Sequence, residues 1–170
     1  IHESWLSGNL YALSASALSA FRGRDLRLPF GAYGEDGLIS YVLVTDFQGG
    51  GDDSHRRRIA IADEAHFEFD SLALNARDLR IYQRRLARYS QRYFQNQILY
   101  PRLKRGGVAA MPPHVRDLFT LENLSGFRPR LDPEFYFPDA ATLSRLRREA
   151  SGGPAARPDA TLFPFQKYRH

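Results

Sequence analysis

The sequence contains no cysteine and only two lysines. The absence of cysteine excludes a disulfide framework and a thiolate metal site. It also fits a reducing compartment, so we expect a cytoplasmic protein. No run of about 18 consecutive apolar residues occurs, and the sequence therefore predicts no membrane-spanning helix.

Arginine carries nearly all of the positive charge, supplying 22 of the 24 cationic residues against 19 acidic ones. Arginine binds phosphate and carboxylate groups through a planar fork of donors, whereas lysine offers only a point charge. The bias is compatible with an anionic ligand, and equally compatible with a genome that favours arginine codons. With 170 residues, 43% of them hydrophobic, the chain is long enough for one domain with a real core.

An acidic pair between two glycines, Gly34-Glu35-Asp36-Gly37, stands directly ahead of an apolar run. Apolar residues at 38, 39, 42 and 43 have a helical spacing and predict a helix over 37–46. Aspartate at such a position usually caps the helix through a backbone N–H. Capping is therefore the structural alternative to any catalytic role of Asp36.

Short strands are predicted on both sides of this motif. Residues 8–13 alternate loosely and predict a strand, followed by a helix over 14–21. The apolar alternation at 59 and 61, and again at 67 and 69, predicts one or two more strands. The expected fold class is therefore α/β, with helices in the majority.

The longest regular element is predicted to run from about Ala76 to Leu99 and to end ahead of Pro101, with Asp70, Ser71 or Asn75 as its cap. Its apolar residues recur at spacings of three and four, and we expect them to form one core stripe. They are Leu79, Tyr82, Leu86, Tyr89 and Tyr93. A later helix is predicted over 140–149, capped by Asp139, with Leu143 and Leu146 facing inward.

The order of four landmarks resembles the family 2 glycosyltransferases with the GT-A fold, in the half that follows the metal-binding DXD motif. The landmarks are SGNLYA at 7–12, LP at 28–29, GEDG at 34–37 and the arginine-rich aromatic helix. The resemblance implies a partial GT-A-like domain over 1–105. The part that follows matches the family only in being helical, and we expect a helical extension over 106–150. Glycine, proline and alanine dominate from Ser151 onward, which predicts a flexible tail over 151–170. The N-terminus lacks an initiator methionine, and we expect a fragment that is inactive alone.

The resemblance implies inverting transfer of a sugar from a nucleotide-sugar donor to a carbohydrate or lipid-linked acceptor. Asp36 would be the general base that deprotonates the acceptor hydroxyl, with Glu35 as its neighbour and orienter. Gly8 would lie beside the acceptor, and Asn9 and Tyr11 would contact sugar. For Asn9 and Tyr11, ordinary strand packing is an equally open interpretation.

The resemblance also implies binding of the donor diphosphate and of a divalent metal, Mn or Mg. Residues 85–89 are the best match to the QxxRW motif, which assigns the diphosphate to Arg88 and Arg85. Arginine replaces the Gln and tyrosine the Trp, which puts processive synthesis in doubt, and a solvated arginine face is the alternative. No DXD motif occurs, so the principal metal ligand is expected outside this chain, with His66 as a possible further ligand.

A basic helical interaction module is the competing interpretation, in which the helix over 76–99 binds nucleic acid or an anionic surface. The predicted core position of its tyrosines argues against base stacking, so no nucleic-acid partner is expected for the transferase. A peripheral contact with the inner face of the membrane through the same cationic helix remains open.

Overall fold

Helix α2 (Glu35–Val44) is buried on every side, with all residues from Gly37 to Val44 inside the protein. A helix that is apolar all round belongs in a core. Leu38 and Tyr41 pack in one cluster with Phe94, whereas Ile39 and Val42 belong to a second cluster. The fold is therefore organised around the helix that the GEDG motif begins.

The computed structural model describes residue 6 and residues 10–50, 58–62, 64–65 and 75–153. Five α-helices are described there, with two short 3-10 helices between the third and the fourth. The helices are α1 (Ala15–Gly23), α2 (Glu35–Val44), α3 (Ala76–Gly106), α4 (Leu121–Ser125) and α5 (Tyr136–Ala150), and the 3-10 helices are Val108–Ala110 and Val115–Leu118. None of the helices in this part of the chain is long and apolar enough to cross a membrane.

The predicted α/β class is wrong, because no β-strand forms within the described residues, and a GT-A-like sheet is therefore not seen. Backbone pairing of the β type is limited there to single bridges, such as the one between Phe30 and His114. Ile59 is buried but Ile61 is 53% exposed, so their alternation does not mark a strand. The predicted strand residues Phe67 and Phe69 lie outside the described residues.

Helix α3 begins where the sequence predicts, because the Asn75 side chain accepts the Asp78 N–H at 2.9 Å. The predicted end near Leu99 is wrong, since the helix continues through Pro101 to Gly106. Proline removes one backbone donor, but Leu99 and Leu103 on either side of it are both 0% exposed. Their burial keeps the last two turns in place.

The predicted core stripe of α3 is also only partly correct. Leu79, Tyr82 and Tyr89 are 57%, 40% and 50% exposed. The buried line instead runs through Leu86, Ser90 and Phe94. Helix α3 packs against different elements along its length, so its buried side changes. Residues chosen at a constant helical spacing therefore do not all lie on the buried side.

Asp139 does not cap α5, which begins at Tyr136 and carries Asp139 in its first turn. The Asp139 carboxylate is 0% exposed. Arg130 donates to it through Nη2 at 2.7 Å, Nε at 2.8 Å and its backbone N–H at 3.0 Å. The inward positions of Leu143 and Leu146 are confirmed, at 2% and 1% exposed.

Candidate active site

Asp36 is the second residue of α2, and it does not cap the helix. The N-cap is Gly34, whose φ of 78° lies in the left-handed region, and no side chain caps this end. The Asp36 side chain is 17% exposed. The capping interpretation is therefore wrong, and the carboxylate is left for a partner outside its own helix.

That partner is Arg92 of α3. Its Nη2 donates to Asp36 Oδ1 at 3.5 Å, which is longer than a normal charge-assisted hydrogen bond. The Arg92 side chain is 37% exposed. The contact is therefore a weak ion pair at the edge of solvent.

The loop before α2 is held by a second α3 residue, Gln95, which is 0% exposed. Gln95 Oε1 accepts the Tyr33 N–H at 2.9 Å, and Nε2 donates to the Tyr33 carbonyl at 3.0 Å. Both backbone groups of the residue before Gly34 are thus satisfied by one buried amide. Arg92 and Gln95 are three apart, so a single face of α3 positions the start of α2.

The same face of α3 carries both arginines that the sequence assigned to phosphate binding. Arg85, Arg88 and Arg92 occupy positions i, i+3 and i+7, which share one side of a helix. All three are half-buried. Among the described residues no carboxylate forms an ion pair with Arg85 or Arg88. The described neighbours therefore leave both cations available to an anion.

A pair of tyrosines, Tyr41 buried and Tyr100 half-buried, lies beside the Asp36–Arg92 contact. Burial raises the pKa of Tyr100 to about 12, with smaller opposing effects from the nearby charges of Arg92 and Asp36. The Tyr41 ring meets Tyr100 edge-on at 5.5 Å, and the Tyr41 hydroxyl donates to the Gly50 carbonyl. Burial likewise raises the pKa of Tyr41. Both phenols therefore stay protonated near neutral pH.

The remaining predicted residues are only partly placed. Glu35 is exposed at the first position of α2, and Tyr11 is 38% exposed ahead of α1. Gly8, Asn9 and His66 lie outside the described residues. Leu6, which is close in sequence to Gly8 and Asn9, donates its backbone N–H to Ser40 Oγ at 2.8 Å. The Ser40 hydroxyl donates in turn to the Asp36 carbonyl at 2.8 Å.

The described surroundings of Asp36 do not form a metal site. No group of three potential ligands from His, Asp and Glu occurs in the part of the chain that the structure describes. A guanidinium, rather than a second carboxylate, stands beside Asp36, and a cation there would be repelled. The predicted divalent metal, with its principal ligand outside this chain, remains a prediction.

Sequence reasoning missed Arg92 and Gln95 as functional residues. Arg92 continues the spacing of Arg85 and Arg88 by one further turn, a signal that the sequence does contain. Gln95 contacts a residue 62 positions away, and no local pattern predicts such a contact. Comparison of the chain with protein-family models, with curated proteins and with solved structures finds no match.

Proposed function

We propose that the chain supplies the acceptor-activating side of an inverting transferase, which moves a sugar from a nucleotide-sugar donor to a hydroxyl group. The observation that supports this most is the approach of Arg92 to Asp36, since it aligns a carboxylate with the arginine face of α3. Transfer of a glycosyl group needs both: a base for the attacking hydroxyl and cations for the departing phosphate. The α/β fold is not part of the proposal.

In the proposed reaction, the acceptor hydroxyl donates a hydrogen bond to the Asp36 carboxylate at about 3 Å. Its proton passes to Asp36 as its oxygen forms a bond to the anomeric carbon of the donor. The bond from that carbon to the leaving phosphate oxygen breaks, and the nucleoside diphosphate departs with the electron pair. Arg85 and Arg88 stabilise the negative charge that develops there. A metal bound by ligands outside this chain would add to that stabilisation.

The test is donor-dependent transfer by the intact protein that carries this chain. A panel of nucleotide sugars is offered with simple sugar and lipid-linked acceptors, and released nucleoside diphosphate is measured. We expect release to require both a particular donor and an acceptor. Absence of turnover with every donor, in a folded preparation supplied with Mn or Mg, would overturn the proposal.

Binding of an anionic polymer or surface is a second candidate function, favoured by the exposure of the α3 side chains that were expected in the core. Tyr82 and Tyr89 are 40% and 50% exposed, on a helix segment that also carries exposed arginines, namely Arg77, Arg80 and Arg84. Exposed aromatic rings among cations are typical of stacking on single-stranded nucleic acid.

Salt dependence separates the two candidates. A polymer-binding module should bind single-stranded RNA or DNA with an affinity that falls steeply as salt rises, because bound counterions are released. Tyr89→Ala should weaken that binding by about tenfold through lost stacking, with Leu121→Ala as the control for an exposed apolar residue elsewhere. An affinity that changes neither with salt concentration nor with Tyr89→Ala would exclude this candidate.

A further inference from the structure

Arg92 occupies the Asp36 carboxylate, because its Nη2 donates to Asp36 Oδ1 at 3.5 Å. In the proposed reaction an acceptor hydroxyl donates a hydrogen bond to the same carboxylate. The Asp36 side chain is only 17% exposed, so the guanidinium and the acceptor compete for access to it. Release of Arg92 from the Asp36 carboxylate would open that access.

The geometry shows that Arg92 is able to leave. The pair rests on a single contact at 3.5 Å, and the Arg92 side chain is 37% exposed, so the attraction is screened by solvent. An arginine side chain has many rotamers, so its guanidinium can move while the backbone of α3 stays in place.

The neighbouring arginines indicate where the Arg92 side chain goes. Arg88 lies one turn before Arg92 on the same face of α3, about 6 Å along the axis, and Arg85 lies nearly one turn before that. An anion bound by Arg85 and Arg88 would attract the third guanidinium. The α2 N-terminus, which has no side-chain cap, adds partial positive charge to the same region.

We propose that Arg92 is a switching residue, which pairs with Asp36 when the site is empty and with a diphosphate when that group binds to Arg85 and Arg88. Binding of the diphosphate thereby releases the Asp36 carboxylate. The proposal rests on the proposed function for its consequence in catalysis. The exchange of partners by Arg92 rests on its 3.5 Å contact with Asp36 and on the spacing of the three arginines on α3.

If Arg92 exchanges partners, Asp36 and the bound anion compete for the Arg92 guanidinium. A double-mutant cycle measures that competition. The probe is inorganic pyrophosphate, titrated into the chain by calorimetry at about 0.1 M salt. Asp36→Asn should tighten pyrophosphate binding about fivefold, the scale of a partly exposed ion pair. Arg92→Gln should weaken it about fivefold.

The decisive comparison is Asp36→Asn in the Arg92→Gln background. If Arg92 exchanges partners, the gain from Asp36→Asn falls below about twofold there, because no competing pair remains. If Asp36 acts only through its general negative field, the gain is the same in both backgrounds, and the proposal is overturned. Absence of pyrophosphate binding by both wild type and Asp36→Asn at millimolar concentrations also overturns it.

Arg102→Gln is the matched control, because it removes the same charge from α3 about 15 Å further along the helix. That distance exceeds the screening length of about 10 Å at 0.1 M salt, so pyrophosphate affinity should change less than twofold. Circular dichroism shows whether each variant folds. If the cycle is non-additive but the protein transfers no sugar, the partner exchange is supported and the proposed function is rejected. If the cycle is additive and the protein is an active transferase, the partner exchange is rejected and the proposed function is supported.

Discussion

The guanidinium of Arg92 lies against the backbone of Gly34, so that a Cβ at residue 34 would stand 2.2 Å from Arg92 Nε. Glycine at this position therefore meets two separate requirements. It adopts the left-handed φ of 78° that starts α2, and it leaves room for the α3 side chain that reaches Asp36. The need for glycine at the first position of the GEDG motif thus depends on a residue that lies 58 positions later in the chain.

Gly34→Ala should separate Arg92 from Asp36 without unfolding the protein. The added methyl meets only the flexible end of Arg92, which can swing away, whereas the left-handed backbone costs about 1–2 kcal/mol for a residue with a Cβ. We expect a loss of that size in the free energy of unfolding, together with a shift of the Arg92 side-chain NMR signal.

Gly50→Ala is the matched control for this substitution, since Gly50 has a φ of 88° but nothing within 4 Å of an added Cβ. Its unfolding free energy should fall by a similar amount while the Arg92 signal stays in place. An unchanged Arg92 signal in Gly34→Ala would show that the guanidinium does not lie against residue 34.

Gln95→Leu should loosen the loop that presents α2. The substitution removes both hydrogen bonds to the Tyr33 backbone and leaves a partly buried N–H and C=O without partners, at a cost of about 1–3 kcal/mol. Chemical denaturation measures the loss, and hydrogen exchange of the Tyr33 amide should accelerate. Gln97→Leu, at an exposed position of the same helix, should change neither the free energy of unfolding nor the Tyr33 exchange rate appreciably. Equal effects from both variants would show that the Gln95 side chain does not hold the Tyr33 backbone.

The stability contributed by the Arg130–Asp139 pair should disappear in acid. Burial of Asp139 acts to raise its pKa, but the hydrogen bonds and charge of Arg130, together with the Ser90 side chain, outweigh it, and the net pKa is lowered from 3.8. The contribution is therefore complete above about pH 4 and is lost as the pH falls through the lowered value.

Asp139→Asn should reduce the free energy of unfolding at pH 7 by about 2–4 kcal/mol, because the Arg130 guanidinium loses its buried counter-charge. The difference from wild type should narrow steadily below pH 4. Asp25→Asn, at a side chain that is 83% exposed, should stay within about 0.5 kcal/mol of wild type at neutral pH. A difference for Asp139→Asn that is constant down to pH 2 would contradict the assignment.

Local pattern was sufficient for some elements of this fold. The apolar run after the GEDG motif predicted α2, and the side chain of Asn75 starts α3 as expected. Leu143 and Leu146 face the core because their spacing matches the helical period. These features depend on residues within a few positions of one another.

The rest depends on contacts that no local pattern contains. Helix α3 passes Pro101 because Leu99 and Leu103 are buried by other elements, which overrides the local preference of proline. Leu79 and Tyr89 are exposed because the buried side of α3 changes along its length. In the candidate site, Asp36 was identified by its motif, but Arg92 and Gln95 contact residues that lie 56 and 62 positions away.

The most direct test of the central claim is the turnover number of Asp36→Asn in the intact protein that carries this chain. Asparagine keeps the shape of the side chain but cannot accept the proton, so we expect kcat for sugar transfer to fall by about 10²–10⁴-fold. Nucleotide-sugar affinity should not weaken, and Asp25→Asn should retain wild-type kcat. An Asp36→Asn protein that transfers sugar at a rate near that of wild type would contradict the assignment of Asp36 as the base.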